Sequence, residues 1–360
     1  MTQSFVRAAA LASALAPDLD AAAVRLAGEP FAPSPGNAIG GARPYFAIPV
    51  SGAGWMQRAE RIARAVAEDL RRKASLDATQ WERLPCIVGS SSQAIGAQEG
   101  ARPSFEPPIE FARSVACWFG SRGPVLSASS ACTSGLTALQ IALDLMAAGA
   151  FRDALVVGVE LANRLTVAGF ASLQLLSARK AGPCDRERDG LVLGEAVGAV
   201  LLSAMGPWRI ASLATGMDAA SLTGPAPQGE VIARTMRSAL SAAGWGTATV
   251  DLVKLQAAGS PLGDLAEARA VRAVFGAPPR TVSLKGAIGH TLGASGPAEL
   301  ALLLAALKRG RVPATWGFST PDAELGIEPS GGDAHGLRRV LFNLSGFGGN
   351  VSAVALERAA

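Results

Sequence analysis

The chain has 360 residues, 49% of them hydrophobic and 17% charged, with a formal charge of +4. That length and apolar content allow a large core, built as two domains or as one duplicated domain. Scattered arginines make no nucleic-acid surface, and four irregularly spaced cysteines without a CxxC or Cys/His pattern make no disulfide framework or metal site.

In chain order, Arg7 followed by residues 8–16 has the outline of a short signal peptide, but the run is too rich in alanine for an apolar core. Residues 5–15 are expected to form an opening strand and turn, followed by a helix over 19–26. The Gly/Pro-rich stretch 30–49 is a loop. Met56, Ala59, Ile62, Ala63, Val66 and Leu70 fall at helical spacing on one face of a packed helix. A short buried strand follows at 84–89, a polar loop at 90–108 and a helix at 111–119.

Residues 124–126 form the tail of another buried strand, and Leu136, Leu139, Ile141, Leu143 and Met146 give the spacing of a helix running to Gly149. Between them lies Ser127-Ala128-Ser129-Ser130-Ala131-Cys132-Thr133-Ser134-Gly135. Cys132 thus stands at a helix start, where free backbone N–H groups and the helix dipole lower a thiol's pKa. Its small neighbours leave room for a substrate. Cys86, Cys117 and Cys184 are expected to be buried core residues.

Beyond this point come a strand at 154–159, a helical and loop segment at 161–180, a strand at 192–202 and a new round beginning at 207–213. The second half alternates again: helix 231–243, strand 250–255, helix 265–275, strand 281–284, helix 295–307 and a closing pair at 340–344 and 352–356. This alternation predicts an α/β architecture. No apolar stretch reaches the length that crosses a bilayer without a charge. The expectation is a cytoplasmic protein with reduced cysteines and no membrane or nucleic-acid partner.

Ser130-Ala131-Cys132-Thr133-Ser134-Gly135 resembles the nucleophile motif of the β-ketoacyl-acyl carrier protein synthases, the condensing enzymes of fatty acid and polyketide assembly. Four more blocks agree in order and spacing: residues 184–195, Gly263-Asp264-Leu265-Ala266-Glu267-Ala268, residues 285–296 from Lys285 through His290, and Gly346-Phe347-Gly348-Gly349-Asn350. The likeness is strong over 85–356 and weak before it, where the chain looks abbreviated. It implies a thiolase-like fold of two similar βαβαβαββ halves, 1–205 and 206–360, in five layers α-β-α-β-α. It also implies a homodimer or a heterodimer with a related ketosynthase chain, and places the 90–108 loop near the cleft or the dimer interface.

The same resemblance assigns roles. Cys132 would take an acyl group from acyl carrier protein, whose phosphopantetheine arm delivers it; no tightly bound cofactor is implied. The backbone N–H groups of Cys132 and Phe347 would form an oxyanion hole. His290 would donate to the enolate made when a malonyl thioester loses carbon dioxide. Lys285 would support the site electrostatically, with Glu299 as its carboxylate partner, and Phe347 would gate the acyl pocket from a mobile loop.

The departure from the family lies at Gln256-Ala257-Ala258-Gly259-Ser260-Pro261. Ala258 stands where the family has its first catalytic histidine, and the loop is two residues shorter. One hydroxyl that grips the pantetheine arm is lost with it, and Ser260 can replace the other. His335, the second histidine of the chain, falls in a surface turn. The expectation is an acyltransferase of the 3-oxoacyl-acyl carrier protein synthase type with impaired decarboxylation. Acyl transfer without decarboxylation, or a structural partner resembling a chain-length factor, is the alternative.

Overall fold

The structure is a computed structural model that describes residues 3–35, 43–52, 54–99 and 107–359. Parts of the expected loops at 30–49 and 90–108 lie outside the described residues. Ten strands build the main sheet: β1 (Ser4–Ser13), β2 (Cys86–Gly89), β3 (Val125–Ala128), β4 (Ala154–Glu160), β5 (Ala196–Ser203), β6 (Trp208–Met217), β7 (Leu252–Lys254), β8 (Arg280–Val282), β9 (Arg339–Ser345) and β10 (Asn350–Arg358). The helices that pack on them are α1 (Leu19–Leu26), α2 (Trp55–Ala74), α3 (Pro108–Trp118), α4 (Ser134–Ala147), α5 (Arg164–Ser172), α6 (Glu230–Ala243), α7 (Pro261–Phe275) and α8 (Ser295–Lys308).

Strand order across the sheet is β8-β7-β9-β10-β6-β1-β5-β4-β2-β3. From β1 outward the pairings run antiparallel to β5, antiparallel to β4, parallel to β2 and parallel to β3. From β6 outward they run antiparallel to β10, antiparallel to β9, parallel to β7 and parallel to β8. The same series thus occurs twice, and the two fives meet only where Ser4–Val6 pairs with Trp208–Ile210. The duplication that the resemblance implies is visible in topology although the two halves share little sequence.

Strand alternation then sorts side chains into layers. On β4, Leu155, Val157 and Val159 join α2 and α3 in one apolar cluster, while Ala154 and Val156 face a second. On β10, Val351, Ala353 and Ala355 pack with α6 and α7, while Val354 and Leu356 turn to that same second cluster. The shared cluster holds α4 and α8 from the two halves, so five layers result: α2/α3, sheet, α4/α8, sheet, α6/α7. This explains why α8 reads as apolar all round. A helix between two sheets has no face left for water. Among the described residues, no helix is long and apolar enough to cross a membrane.

Two boundaries and the exposure of one cysteine differ from expectation for local reasons. Helix α7 starts at Pro261 rather than Leu265, because the Ser260 hydroxyl accepts from Gly263 N at 3.2 Å and proline suits the first helical position. Strand β5 starts at Ala196; residues 192–194 bond instead to His290, with His290 N donating to Val192 O at 2.7 Å and Gly194 N to His290 O at 3.1 Å. Cys117 is exposed on α3, facing away from the core that Phe111, Val115 and Trp118 enter, so it is not the buried residue expected.

The central helices touch at their first turns through glycine. A Cβ on Gly135 would stand 2.3 Å from Pro297 Cδ, and one on Gly296 would stand 2.9 Å from Leu136 N. Gly135→Ala is therefore expected to destabilise the fold by about 1–3 kcal/mol, the range for overpacking, in denaturant unfolding. An unchanged midpoint would show that α4 and α8 can separate freely.

Candidate functional site

Cys132 sits in the turn between β3 and α4. The residue before it, Ala131, holds φ at +51°, a left-handed conformation that costs a non-glycine residue about 1–3 kcal/mol. Small hydroxyl side chains fix this turn: Ser134 Oγ donates to Ala131 O at 2.6 Å, Thr133 Oγ1 donates to Ser130 O at 2.8 Å, and Ser130 Oγ lies 2.6 Å from Thr137 Oγ1. The same device recurs in the second half, where Leu292 has φ +46° three residues before Ser295 and two after His290. Cys132 and His290 thus lie on equivalent turns before the two central helices. The small residues that marked the motif serve to build the turn as well as to leave space.

The Cys132 sulfur borders a cavity of about 280 Å³ walled by Ser91, Ile95, Phe170, Leu292 and Phe347. The backbone N–H groups of Phe347 and of Cys132 itself lie near enough to the sulfur to favour its thiolate. A Cβ on Gly346 would meet Cys132 N at 3.0 Å, so the glycine lets the Phe347 loop lie against the turn. That loop is anchored: Gly348 N donates to Leu222 O at 2.9 Å, Asp218 N to Gly349 O at 2.8 Å, and Gly346 N to Asn350 O at 2.8 Å. Gly349 has φ +77°, and a Cβ there would fall 1.7 Å from Asp218 O. The Phe347 ring stacks on Phe170 of α5, with centroids 5.0 Å apart.

Burial corrects the expected acidity of the thiol. Cys132 precedes the helix by one turn residue and is only 3% exposed. Desolvation pushes its thiol up to about 11, and the N–H groups of Phe347 and Cys132 with the nearby Lys285 charge only partly oppose it. Iodoacetamide is accordingly expected to modify exposed Cys117 before Cys132 at neutral pH. In a Cys117→Ser background, the Cys132 rate should climb roughly tenfold per pH unit from 7 to 9, since thiolate is the reacting species. A plateau below pH 8 would mean that the thiol is acidic after all.

The segment carrying Ala258 is tightly held. Glu267 accepts from Gln256 N and Ala257 N, each at 2.7 Å, and Asp264 accepts from Ala258 N at 3.0 Å, Gly259 N at 3.1 Å and Cys184 N at 2.9 Å. The acidic residues of the Gly263–Ala268 block therefore work on backbone. Ala258 is buried in one apolar cluster with Cys132, Leu193 and Leu292. Ser260 is half-buried, and its oxygen caps α7, leaving its proton free to donate.

His290 is 3% exposed, with Nδ1 3.5 Å from Ser295 Oγ. Burial, and then the Lys285 and Lys254 charges, hold its imidazole well below the ordinary range. Lys285 and Glu299 form an ion pair, as expected, but Glu299 also pairs through its other oxygen with Lys254. Lys254 escaped the sequence reading, although a lysine inside an apolar strand is itself a signal of a paired buried charge.

Glu160 was missed as well. It closes the apolar strand β4 and accepts from Ser91 N at 3.0 Å, Ser91 Oγ at 2.6 Å, Ser92 N at 3.0 Å and Gly293 N at 2.9 Å. It thereby ties the cavity wall at 91–92 to the His290 turn. An acid at the carboxyl end of a parallel strand, where sites of α/β sheets gather, was the available clue.

Two five-stranded halves of one sheet around paired central helices, with the Cys132 turn and the His290 turn leading into them, define a thiolase-like fold. The chain belongs to the β-ketoacyl synthase family: residues 42–205 match the beta-ketoacyl synthase N-terminal domain and residues 209–319 the C-terminal domain. It is 32% identical over 259 residues to the 3-oxoacyl-[acyl-carrier-protein] synthase 2 of Mycobacterium tuberculosis, covering 66% of this chain and 62% of that protein. It is also 32% identical over 273 residues to the tetracenomycin polyketide synthase ketoacyl synthase alpha subunit of Streptomyces glaucescens, covering 70% and 64%. The chain thus spans somewhat under two thirds of these relatives. Among solved structures, a ketosynthase in complex with its chain length factor from Xenorhabdus doucetiae superposes with TM-score 0.84 at 22% identity, covering 99% of this chain and 98% of that one.

Proposed function

We propose that this chain takes an acyl group from an acyl carrier protein onto Cys132 and is weak in the decarboxylation that would normally follow. The observation that carries this reading is the asymmetry of the site: Cys132 lines a cavity beside its own N–H group and that of Phe347, while a tightly bonded loop presents Ala258, without an imidazole, to the same apolar cluster. In the transfer, sulfur attacks the carrier thioester carbonyl and the Phe347 and Cys132 N–H groups stabilise the oxyanion. The pantetheine sulfur then leaves and takes up the proton that the Cys132 thiol gives up, so no net proton is released. In a condensation, the malonyl carboxylate bond would break to carbon dioxide and an enolate. That enolate would attack the acyl carbonyl, releasing the Cys132 thiolate.

His290 is the donor left for the enolate, Lys285 and Glu299 set the charge behind it, and Ser260 offers its free proton to the pantetheine arm. We read 1–205 and 206–360 as the two halves, with free cysteines suited to a reducing, cytoplasmic setting. The partners in this reading are acyl carrier protein, after which the mycobacterial relative is named, and a second, related ketosynthase chain, much as the Xenorhabdus ketosynthase pairs with its chain length factor. A structural role beside an active chain is the second reading, favoured by Ala258 alone. Intact mass of the protein after incubation with acyl- and malonyl-carrier protein separates them: a single stable acyl adduct supports the enzyme, and no adduct in the presence of either donor supports the partner.

A further inference from the structure

The two halves of the sheet touch only through Ser4–Val6 and Trp208–Ile210, and β1 bulges directly after this contact, between Val6 and Ala8. A cleft of about 640 Å³ opens at the seam, walled by residues of both strands, of α1 and of the last two turns of α8. Its size falls among small-molecule sites, which run roughly 300–1,000 Å³. Val6, Leu19, Trp208 and Leu304, all buried, give it an apolar floor, while the side chains of Ala8, Ala9, Ala301 and Ala305 are too short to fill it. The cleft is separate from the Cys132 cavity: α8 follows His290 with its first turn, and Leu304 lies roughly 14 Å further along that helix.

Four cationic side chains, Arg7, Lys73, Lys308 and Arg358, and one acidic one, Asp20, line this cleft. Lys73 is already matched, by Asp20 at 3.0 Å and Asp69 at 2.8 Å. Among the described residues the other three cations form no ion pair, and Arg7 uses one guanidinium donor on Ser75 O at 3.1 Å. Lys308 alone would mean little, since a cation in the last turn complements any helix dipole. Arg7 and Arg358, however, come from β1 and from the end of β10, so three elements bring unmatched positive charge to one apolar cleft. An apolar surface with a charged rim fits a ligand built the same way. We propose that this cleft binds a monocarboxylate on an apolar chain: the chain lies over Trp208 and Leu304, and the carboxylate accepts from Arg358, Lys308 and Arg7. Asp20 and the negative end of α8 limit the positive excess, which suits a single negative charge better than the nearly two of a phosphate monoester.

This site uses none of the residues of the acyl-transfer reading and stands or falls without it. The test is calorimetric titration of decanoate, below its micelle concentration, into the full chain at low and at raised salt. Decanoate is expected to bind, and to bind more weakly as salt screens the rim. Decanol, which keeps the chain but lacks the charge, should bind at least about tenfold more weakly, and so should acetate, which lacks the chain. Lys308→Glu combined with Arg358→Glu, both exposed positions, should weaken decanoate by at least about tenfold. A decanoate carrying a photoreactive diazirine on its chain locates the site whether or not that variant folds: label is expected at 207–208 and 301–308. The proposal is overturned by absence of decanoate binding, by decanol binding as tightly as decanoate, or by a folded double variant with unchanged affinity. Label confined to 91–95 and 166–173, beside Cys132, overturns it as well, and decyl phosphate binding more than about tenfold tighter than decanoate overturns the choice of a carboxylate.

Discussion

Cys132→Ala is expected to abolish acyl uptake from an acyl-carrier protein donor, while the unaltered chain takes up one acyl group. With the thiol near pKa 11, only about one chain in 10⁴ holds a thiolate at pH 7, so a bare reagent will find the exposed Cys117 more readily. A bound thioester changes this comparison. It places its carbonyl against the sulfur and the two N–H donors, converting a bimolecular encounter into an oriented one. The assay therefore uses the acyl donor, in a Cys117→Ser background, with intact mass and peptide mapping. Alanine leaves the turn's hydrogen bonds in place, since these run through Ser130, Thr133, Ser134 and Thr137. Acylation that persists in Cys132→Ala would remove the nucleophile assignment altogether.

The second large effect is a split between the two half-reactions. Loss of one preorganised oxyanion donor costs about 10²–10³ in rate, roughly 3–4 kcal/mol, and Ala258 removes a donor for the enolate but none from the acyl-transfer hole. Carbon dioxide release from a malonyl thioester should therefore lag acyl transfer to Cys132 by at least that factor. The structure adds a reason why Ala258→His alone will restore little. Backbone N–H groups of residues 256–259 are all held by Glu267 and Asp264, and Ser260 is fixed as the cap of α7, so the short loop cannot move to aim a ring. Ala258→His with two residues inserted after Ser260 should release more carbon dioxide than either change alone. Decarboxylation in the unaltered protein as fast as its acyl transfer, with no second chain present, would falsify the impaired-donor reading.

What the sequence determined was local or carried by motif. The 3.6-residue spacing of Met56 through Leu70 announced α2, and that of Leu136 through Met146 announced α4, because each buries one stripe against a sheet. Ordered blocks around Cys132, Lys285, His290 and Phe347 resembled one family and so nominated the candidate site residues. The alanine at position 258, where the family resemblance implies an imidazole, was legible too, whatever its surroundings. Tertiary structure decided everything that depends on burial and on distant partners. The acidity expected of Cys132 from its helix start was reversed, because loss of water outweighs two N–H groups and a nearby ammonium. Cys117 turned out exposed because α3 presents it on the face opposite Phe111 and Val115, a matter of helix rotation against the sheet. Lys254 and Glu160 gained their importance only when β7 met α8 and β4 met the His290 turn, 45 and 133 residues away in sequence respectively for Glu299 and Gly293. A charge's meaning depends on what the fold brings within a few ångströms of it, and no local spacing encodes that.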